Sequence, residues 1–329
     1  MSFAVGVTRD IRQDDGRPTL DLSPLDDAGL VWDYLAEDTR LLAAGDLDGV
    51  DALVCFMPRV TREAIESADR LKIIARLGVG YDSVDVDACT EHGVLVTITP
   101  DGVRRPMSSS AMAFVLALAH RLPQKDRHVR AGGFDRFFYG GTGLTGRTLG
   151  LIGVGNVGSD LVELARPWQM RTIAHDPYAK APPAGVELVD LDTLLAESDF
   201  VIVLCPLNDE TRGLVDAGAL AKMKPTAFLV NVARGAIVDQ RALTDALREG
   251  RIAGAALDVF EREPIDPDDP LLELDTVILA PHGIGLTDEL YRFSGHSAAR
   301  AVVAVAEGRV PDYIVNREAL EHPRLAGLR

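Results

Sequence analysis

The run Leu149-Gly150-Leu151-Ile152-Gly153-Val154-Gly155-Asn156-Val157-Gly158 passes from an apolar strand pattern into a GxGxxG loop, and Leu161, Leu164 and Ala165 then recur with helical spacing. Strand, glycine turn and helix in that order build a cradle for a pyrophosphate. Gly153 permits the tight turn, Gly155 lets backbone approach the anion, and Gly158 lets the helix pack closely, while N–H groups at the helix N-terminus point at the phosphates. Asp176 stands 18 residues after Gly158 at the end of the next apolar run, where a carboxylate accepts the adenosine ribose hydroxyls. No arginine in His175-Asp176-Pro177-Tyr178 offers to hold a 2′-phosphate, so the pattern predicts NAD rather than NADP.

On both sides of this loop, apolar runs of four to six residues alternate with stretches of helical period, the mark of parallel sheets covered by helices. Phe3 to Val7, Ala52 to Phe56, Lys72 to Ala75 and Val94 to Ile98 make a first α/β unit. Thr148 to Ile152, Arg171 to His175, Phe200 to Leu204, Ala227 to Asn231, Gly254 to Asp258 and Thr276 to Ala280 make a second, with helices at Val157 to Leu164 and Asp239 to Glu249. Two longer helices bracket the second unit: Ser108 to Arg121, preceded by Pro106 and offering serines as caps, and Thr287 to Glu307, ended by Gly308.

The chain has 329 residues, 47% hydrophobic and 26% charged, enough for about two domains with sizeable cores. Its 34 Lys+Arg against 50 Asp+Glu leave a formal net charge of −16, which argues against nucleic acid as a partner. The apolar stretch Ala111 to Ala119 is too short to span a bilayer, so no membrane is expected. No secretory signal opens the sequence, and Cys55, Cys89 and Cys205 have neither disulfide nor zinc spacing, which fits a reducing cytoplasm.

In open α/β sheets ligands bind beyond the carboxyl ends of the strands. Three such ends lead into Arg234, into Glu261 and Glu263, and into His282. Hydride transfer to a 2-oxo acid needs a cation for the carboxylate and carbonyl and a donor for the new alcohol proton. Arginine forks onto carboxylates, histidine titrates near neutrality, and a carboxylate beside the imidazole orients it.

Arg76-Leu77-Gly78-Val79-Gly80-Tyr81-Asp82-Ser83-Val84-Asp85, the glycine loop, Asn231-Val232-Ala233-Arg234-Gly235, Leu257-Asp258-Val259-Phe260 with Glu263-Pro264, and Pro281-His282 together resemble the D-isomer-specific 2-hydroxyacid dehydrogenase family. The resemblance spans nearly the whole chain. It implies two Rossmann-like or flavodoxin-like domains, doubly wound parallel sheets with a cleft between them. A discontinuous substrate domain takes residues 1–106 and 287–329, and an NAD-binding domain residues 107–286. Arg234 is then the carboxylate-binding and polarising residue, Glu263 the histidine's partner in preference to Glu261, and His282 the proton donor in reduction. Backbone N–H groups around Val79 and Gly80 receive the substrate carboxylate. NAD contacts fall to Asn156, Val157, Asp176, Cys205, Pro206, Val232, Asp258 and His282 besides the three glycines.

Two places depart from the family pattern. Ser110 stands where a glutamate commonly opens a helix, and Gly283-Ile284-Gly285 follows His282 in place of the usual Ile-Gly or Ile-Ala. Arg104, on what reads as a loop with Arg105, is a candidate for an anionic substrate tail. The aromatic segment Phe134 to Gly141 lies where family members usually dimerise, so a homodimer is expected. His296 reads as a packed helical histidine and Cys205 as a backbone neighbour of the cofactor with no base to activate its thiol.

The activity expected from these residues is NAD-dependent interconversion of a 2-oxo acid and a D-2-hydroxy acid, glyoxylate or hydroxypyruvate first and 3-phosphoglycerate second. With the sequence ending at Arg329, the regulatory domain that some phosphoglycerate enzymes carry is not expected. The competing expectations are an NAD-sensing binding protein like the family's corepressors, and a dehydrogenase of another small anion such as phosphite. Formate enzymes usually carry glutamine where Glu263 stands.

Overall fold

The computed structural model describes residues 3–137 and 140–329. Its chain divides into two compact units, Arg104–Gly285 on one side and Met1–Val103 with Leu286–Arg329 on the other.

The unit Arg104–Gly285 is built on a seven-stranded parallel sheet. From edge to edge its strands are Val186–Leu188, Arg171–His175, Thr148–Ile152, Phe200–Val203, Phe228–Asn231, Gly254–Leu257 and Val277–Leu279. In chain order this is 3-2-1-4-5-6-7, the doubly wound Rossmann order with one strand added. Alternate residues of one strand feed opposite faces: Val201 and Val203 enter one apolar cluster, Phe200 and Ile202 the other. Helices Leu191–Glu197 and Gln240–Arg248 cover the first face, and Asn156–Ala165 with the end of Pro100–Ala119 the second. A strand covered on both sides must be apolar on both, which is why these strands read as unbroken apolar runs.

The other unit carries a five-stranded parallel sheet in the order Val31–Tyr34, Ala4–Val7, Ala52–Cys55, Ile73–Arg76 and Leu95–Thr97. This is the flavodoxin-like order 2-1-3-4-5. The late helix Asp288–Ala306, capped by Thr287 and followed by Gly308 at φ 77°, buries Ala298 and Val302 against that sheet. Asn316 ties the chain end to it, accepting from Val96 N at 2.8 Å and donating to Val94 O at 2.9 Å. His296 pairs with Asp21 at 2.9 Å within this unit.

Three expectations need correction. The helix read as Ser108 to Arg121 runs over Pro100–Ala119 with Pro106 inside it. Its serines are not caps: Ser108 donates back to Arg105 O, and Ser109 and Ser110 to Pro106 O, at 2.8–3.0 Å. Interior proline is unfavourable by about 3 kcal/mol, and tertiary packing outweighs it here: Ala111, Val115 and Ala119 are fully buried. Arg104 and Arg105 therefore lie in a helix, not on a loop. The strands Val31–Tyr34 and Val186–Leu188, absent from the expectation, are sheet edges with partly exposed side chains.

Candidate active site

The glycine loop sits at the switch point of its sheet, between strands Thr148–Ile152 and Phe200–Val203. Two of its glycines are required by the packing. Gly153 has φ 96°, and a Cβ there would lie 2.8 Å from Cys205 N; one on Gly158 would lie 2.8 Å from Gly153 O. Gly155 has open space above it and caps helix Asn156–Ala165 without any side chain. By contrast, helices Leu191–Glu197, Gln240–Arg248 and Asp288–Ala306 have their first N–H groups met by Asp190, Asp239 and Thr287. An open, uncapped helix start beneath a bare glycine fits a pyrophosphate.

Asp176 is held in place by two backbone donors, Val154 N and Tyr178 N, each at 3.0 Å. Cys205 lies against Gly153, and burial pushes its thiol up to about 11, so it stays protonated at neutral pH. Pro206 O accepts the Thr211 hydroxyl at 2.7 Å, and Val232 is buried. Asp160, absent from the residues singled out above, is a buried acid on the glycine-loop helix that gathers Arg105 at 2.9 Å, Arg104 at 3.3 Å and the Ser108 hydroxyl. The available signal was its position: three residues from Val157 and four from Leu164, it falls on the apolar stripe.

Arg234, Glu263 and His282 follow three adjacent strands of the same sheet, Phe228–Asn231, Gly254–Leu257 and Val277–Leu279. His282 Nδ1 lies 2.7 Å from Glu263 Oε2, while Glu263 Oε1 accepts Phe260 N at 3.0 Å. Burial acts to raise the Glu263 carboxyl, but the imidazole, the Phe260 N–H and the charge of Arg234 outweigh it and hold the group below its ordinary range. Glu263 is therefore ionised at neutral pH and accepts only, so Nδ1 carries a proton. The rival, Glu261, is engaged elsewhere: its Oε1 accepts Gln240 N at 3.1 Å.

Buried Asn231 shapes the Arg234 turn, donating to Arg234 O at 2.9 Å and accepting Ala233 N at 3.1 Å. Gly235 is obligatory beside it, because a Cβ would fall 1.9 Å from the Phe260 carbonyl carbon. His282 adopts φ 52°, a left-handed conformation costing a non-glycine residue roughly 1–3 kcal/mol. Asp258 sustains it: its carbonyl accepts His282 N at 2.7 Å and its Oδ1 accepts Gly283 N and Ile284 N at 2.9 and 3.0 Å. Burial raises the Asp258 carboxyl despite those two donors. The Ser110 hydroxyl lies 2.8 Å from Ile284 O as well as from Pro106 O, so its one proton serves either carbonyl beside the same turn.

In the other unit, Val79 and Gly80 follow strand Ile73–Arg76 in a loop pinned by Thr99, whose hydroxyl accepts Gly78 N at 2.8 Å. Neither Val79 nor Gly80 makes a hydrogen bond among the described residues, which leaves their N–H groups available.

Residues 112–283, just over half of the chain, match the family model described as D-isomer specific 2-hydroxyacid dehydrogenase, NAD binding domain. A D-3-phosphoglycerate dehydrogenase of Archaeoglobus fulgidus is 41% identical over 266 residues, which cover 80% of this chain but 50% of the relative, so this chain spans about half its length. A glyoxylate reductase of Korarchaeum cryptofilum is 38% identical over 299 residues, 88% of this chain and 90% of the relative. The crystal structure of a glyoxylate reductase from Paecilomyes thermophila superposes with a TM-score of 0.81 at 28% identity, covering 93% of this chain and 96% of that one. On these matches the chain belongs to the D-isomer-specific 2-hydroxyacid dehydrogenase family and has NAD as its cofactor.

Proposed function

We propose that this NAD-dependent dehydrogenase interconverts a 2-oxo acid and a D-2-hydroxy acid, with glyoxylate or hydroxypyruvate as the oxo acid. The observation that carries the proposal is the 2.7 Å contact of His282 with an ionised Glu263 on strand ends adjacent to that of Arg234. NAD supplies or takes the hydride. Gly153, Gly155 and Gly158, with Asn156 and Val157 at the helix start, hold its pyrophosphate, and Asp176 its adenosine ribose. Cys205, Pro206, Val232 and Asp258 complete the cofactor contacts.

In this scheme the Arg234 guanidinium binds the substrate carboxylate and draws electron density from the carbonyl, with the N–H groups of Val79 and Gly80 as further donors. Glu263 fixes the proton on Nδ1, so the proton for the nascent alkoxide leaves from Nε2 in reduction and returns there in oxidation. Such proton transfer contributes roughly 10² to 10⁴ in rate. Arg104 is left out, because Asp160 engages it.

A homodimer in the cytoplasm completes the proposal. Phe134 and Phe137 are 80% and 93% exposed, and helix Leu122–Arg130 buries none of its residues, so this arm offers an apolar surface to a second copy. Phe138 and Tyr139 of the same segment lie outside the described residues.

The test is NADH oxidation across glyoxylate, hydroxypyruvate, phenylpyruvate and 2-oxoglutarate, with Arg234→Ala as control. Turnover of glyoxylate or hydroxypyruvate that the substitution lowers by about 10³ or more is the expected result. NADH binding without turnover of any oxo acid would overturn the proposal.

A further inference from the structure

A cavity of about 390 Å³ lies within the unit Met1–Val103 with Leu286–Arg329 and contains none of the residues assigned above. Small-molecule sites occupy roughly 300–1,000 Å³. One wall is a face of helix Asp288–Ala306, with Ser297, Arg300, Ala301 and Ala304 at helical spacing. The segment Arg309 to Tyr313, with Pro24, Ile98 and Asp101, completes the lining.

Three features distinguish this cavity from an ordinary surface hollow. Tyr313 has φ 57°, a region that a bulky aromatic rarely occupies, and its hydroxyl donates to Asp101 at the cavity wall. Arg300 and Asp312 both line the cavity, yet among the described residues neither makes a hydrogen bond or an ion pair, with each other or with any other group. Both charges act on the Tyr313 phenol, Asp312 raising it and Arg300 lowering it. The other charged residues of the lining are engaged, Arg309 by Glu307 and Asp101 by Tyr313, and Ile98, Ala304 and Pro311 add apolar side chains.

An unpaired guanidinium and an unpaired carboxylate that do not meet across a cavity are complementary to a molecule bearing both opposite charges. A carboxylate satisfies the arginine fork, an ammonium satisfies the aspartate, and a short hydrocarbon group suits Ile98, Ala304 and Pro311. We propose that this cavity binds a small zwitterion of α-amino-acid type with an apolar side chain, its carboxylate on Arg300 and its ammonium on Asp312. The proposal is independent of which oxo acid the strand-end site reduces.

The test is calorimetric and saturation-transfer NMR titration of the full chain with L-valine, alongside isobutyrate and isobutylamine, which carry one charge each. The expected result is saturable valine binding that Arg300→Gln and Asp312→Asn each weaken about tenfold, roughly the loss of one charged contact. Each single-charge probe should bind more weakly than valine, and Arg234→Ala should leave valine binding unchanged. Both cavity residues are exposed and unpaired, so their substitutions leave the fold intact, which the melting temperature checks. No valine binding up to about 10 mM, a level covering even weak millimolar affinity, overturns the proposal. Binding that survives Arg300→Gln, or that Arg234→Ala abolishes, overturns it equally.

Discussion

The glycine loop and the strand-end triad stand on one sheet and work by opposite means. Gly153, Gly155 and Gly158 act through what they lack: the absent Cβ of Gly153 and Gly158 lets backbone come close, and at Gly155 the helix start is left without a side-chain cap. Arg234, Glu263 and His282 act through what they carry, and a network fixes each of them: Asn231 the Arg234 turn, Phe260 N and the imidazole the Glu263 carboxylate, Asp258 the His282 turn. A cradle of backbone is local in sequence, so ten consecutive residues encode it. The triad draws on residues 231 to 284 and exists only once three strands lie side by side.

If the two regions divide labour in this way, substitutions should separate cofactor binding from chemistry. The largest effect is expected at His282. His282→Asn removes the proton donor, and kcat for oxo-acid reduction should fall by roughly 10² to 10⁴, measured under saturating NADH. A fall of less than tenfold would merge the two regions into one binding surface. Gly158→Ala should act the other way. Its methyl would collide with Gly153 O, displacing the helix start, so the NADH Kd should rise about tenfold or more, on the order of one or two lost backbone contacts. Fluorescence titration reads this directly, while kcat at saturating NADH stays near that of the unsubstituted protein.

The smallest effect sharpens the triad side. Because burial raises the Asp258 carboxyl in the folded state, its contribution to stability is fully present below the ordinary carboxylate pKa and is lost as pH rises through the raised value. Asp258→Asn keeps an oxygen for Gly283 N and Ile284 N but carries no charge. Its melting temperature relative to the unsubstituted protein should therefore improve between pH 4 and pH 7. A relative loss over that interval would mean that the charged form is the better partner of the two N–H groups.

Much of the molecule was legible in the residues, and the gaps have physical causes. Central strands such as Phe200–Val203 are covered on both faces and show as apolar runs, whereas the edge strands Val31–Tyr34 and Val186–Leu188 bury less and contain Asp33 and Glu187. Thr287 and Gly308 marked the ends of the late helix well, because capping chemistry is local. Pro106 misled for the converse reason: as a local signal it marks a helix start, and only burial of the following turns lets the helix run through it from Pro100. Asp160 was likewise invisible as a partner, since Arg104, Arg105 and Ser108 lie more than fifty residues away in sequence.

By itself, then, the sequence determined the strand-turn-helix cradle, the acid at the end of the next strand and the three strand ends bearing Arg234, Glu263 and His282, because spacing and residue type are properties of contiguous chain. Tertiary structure alone decided that Glu263 and not Glu261 meets the imidazole, that His282 is held at φ 52° by Asp258, and that Arg104 is engaged by Asp160. Those outcomes depend on which distant groups arrive within hydrogen-bond reach, over about 3 Å, and strand order sets that proximity where sequence separation does not.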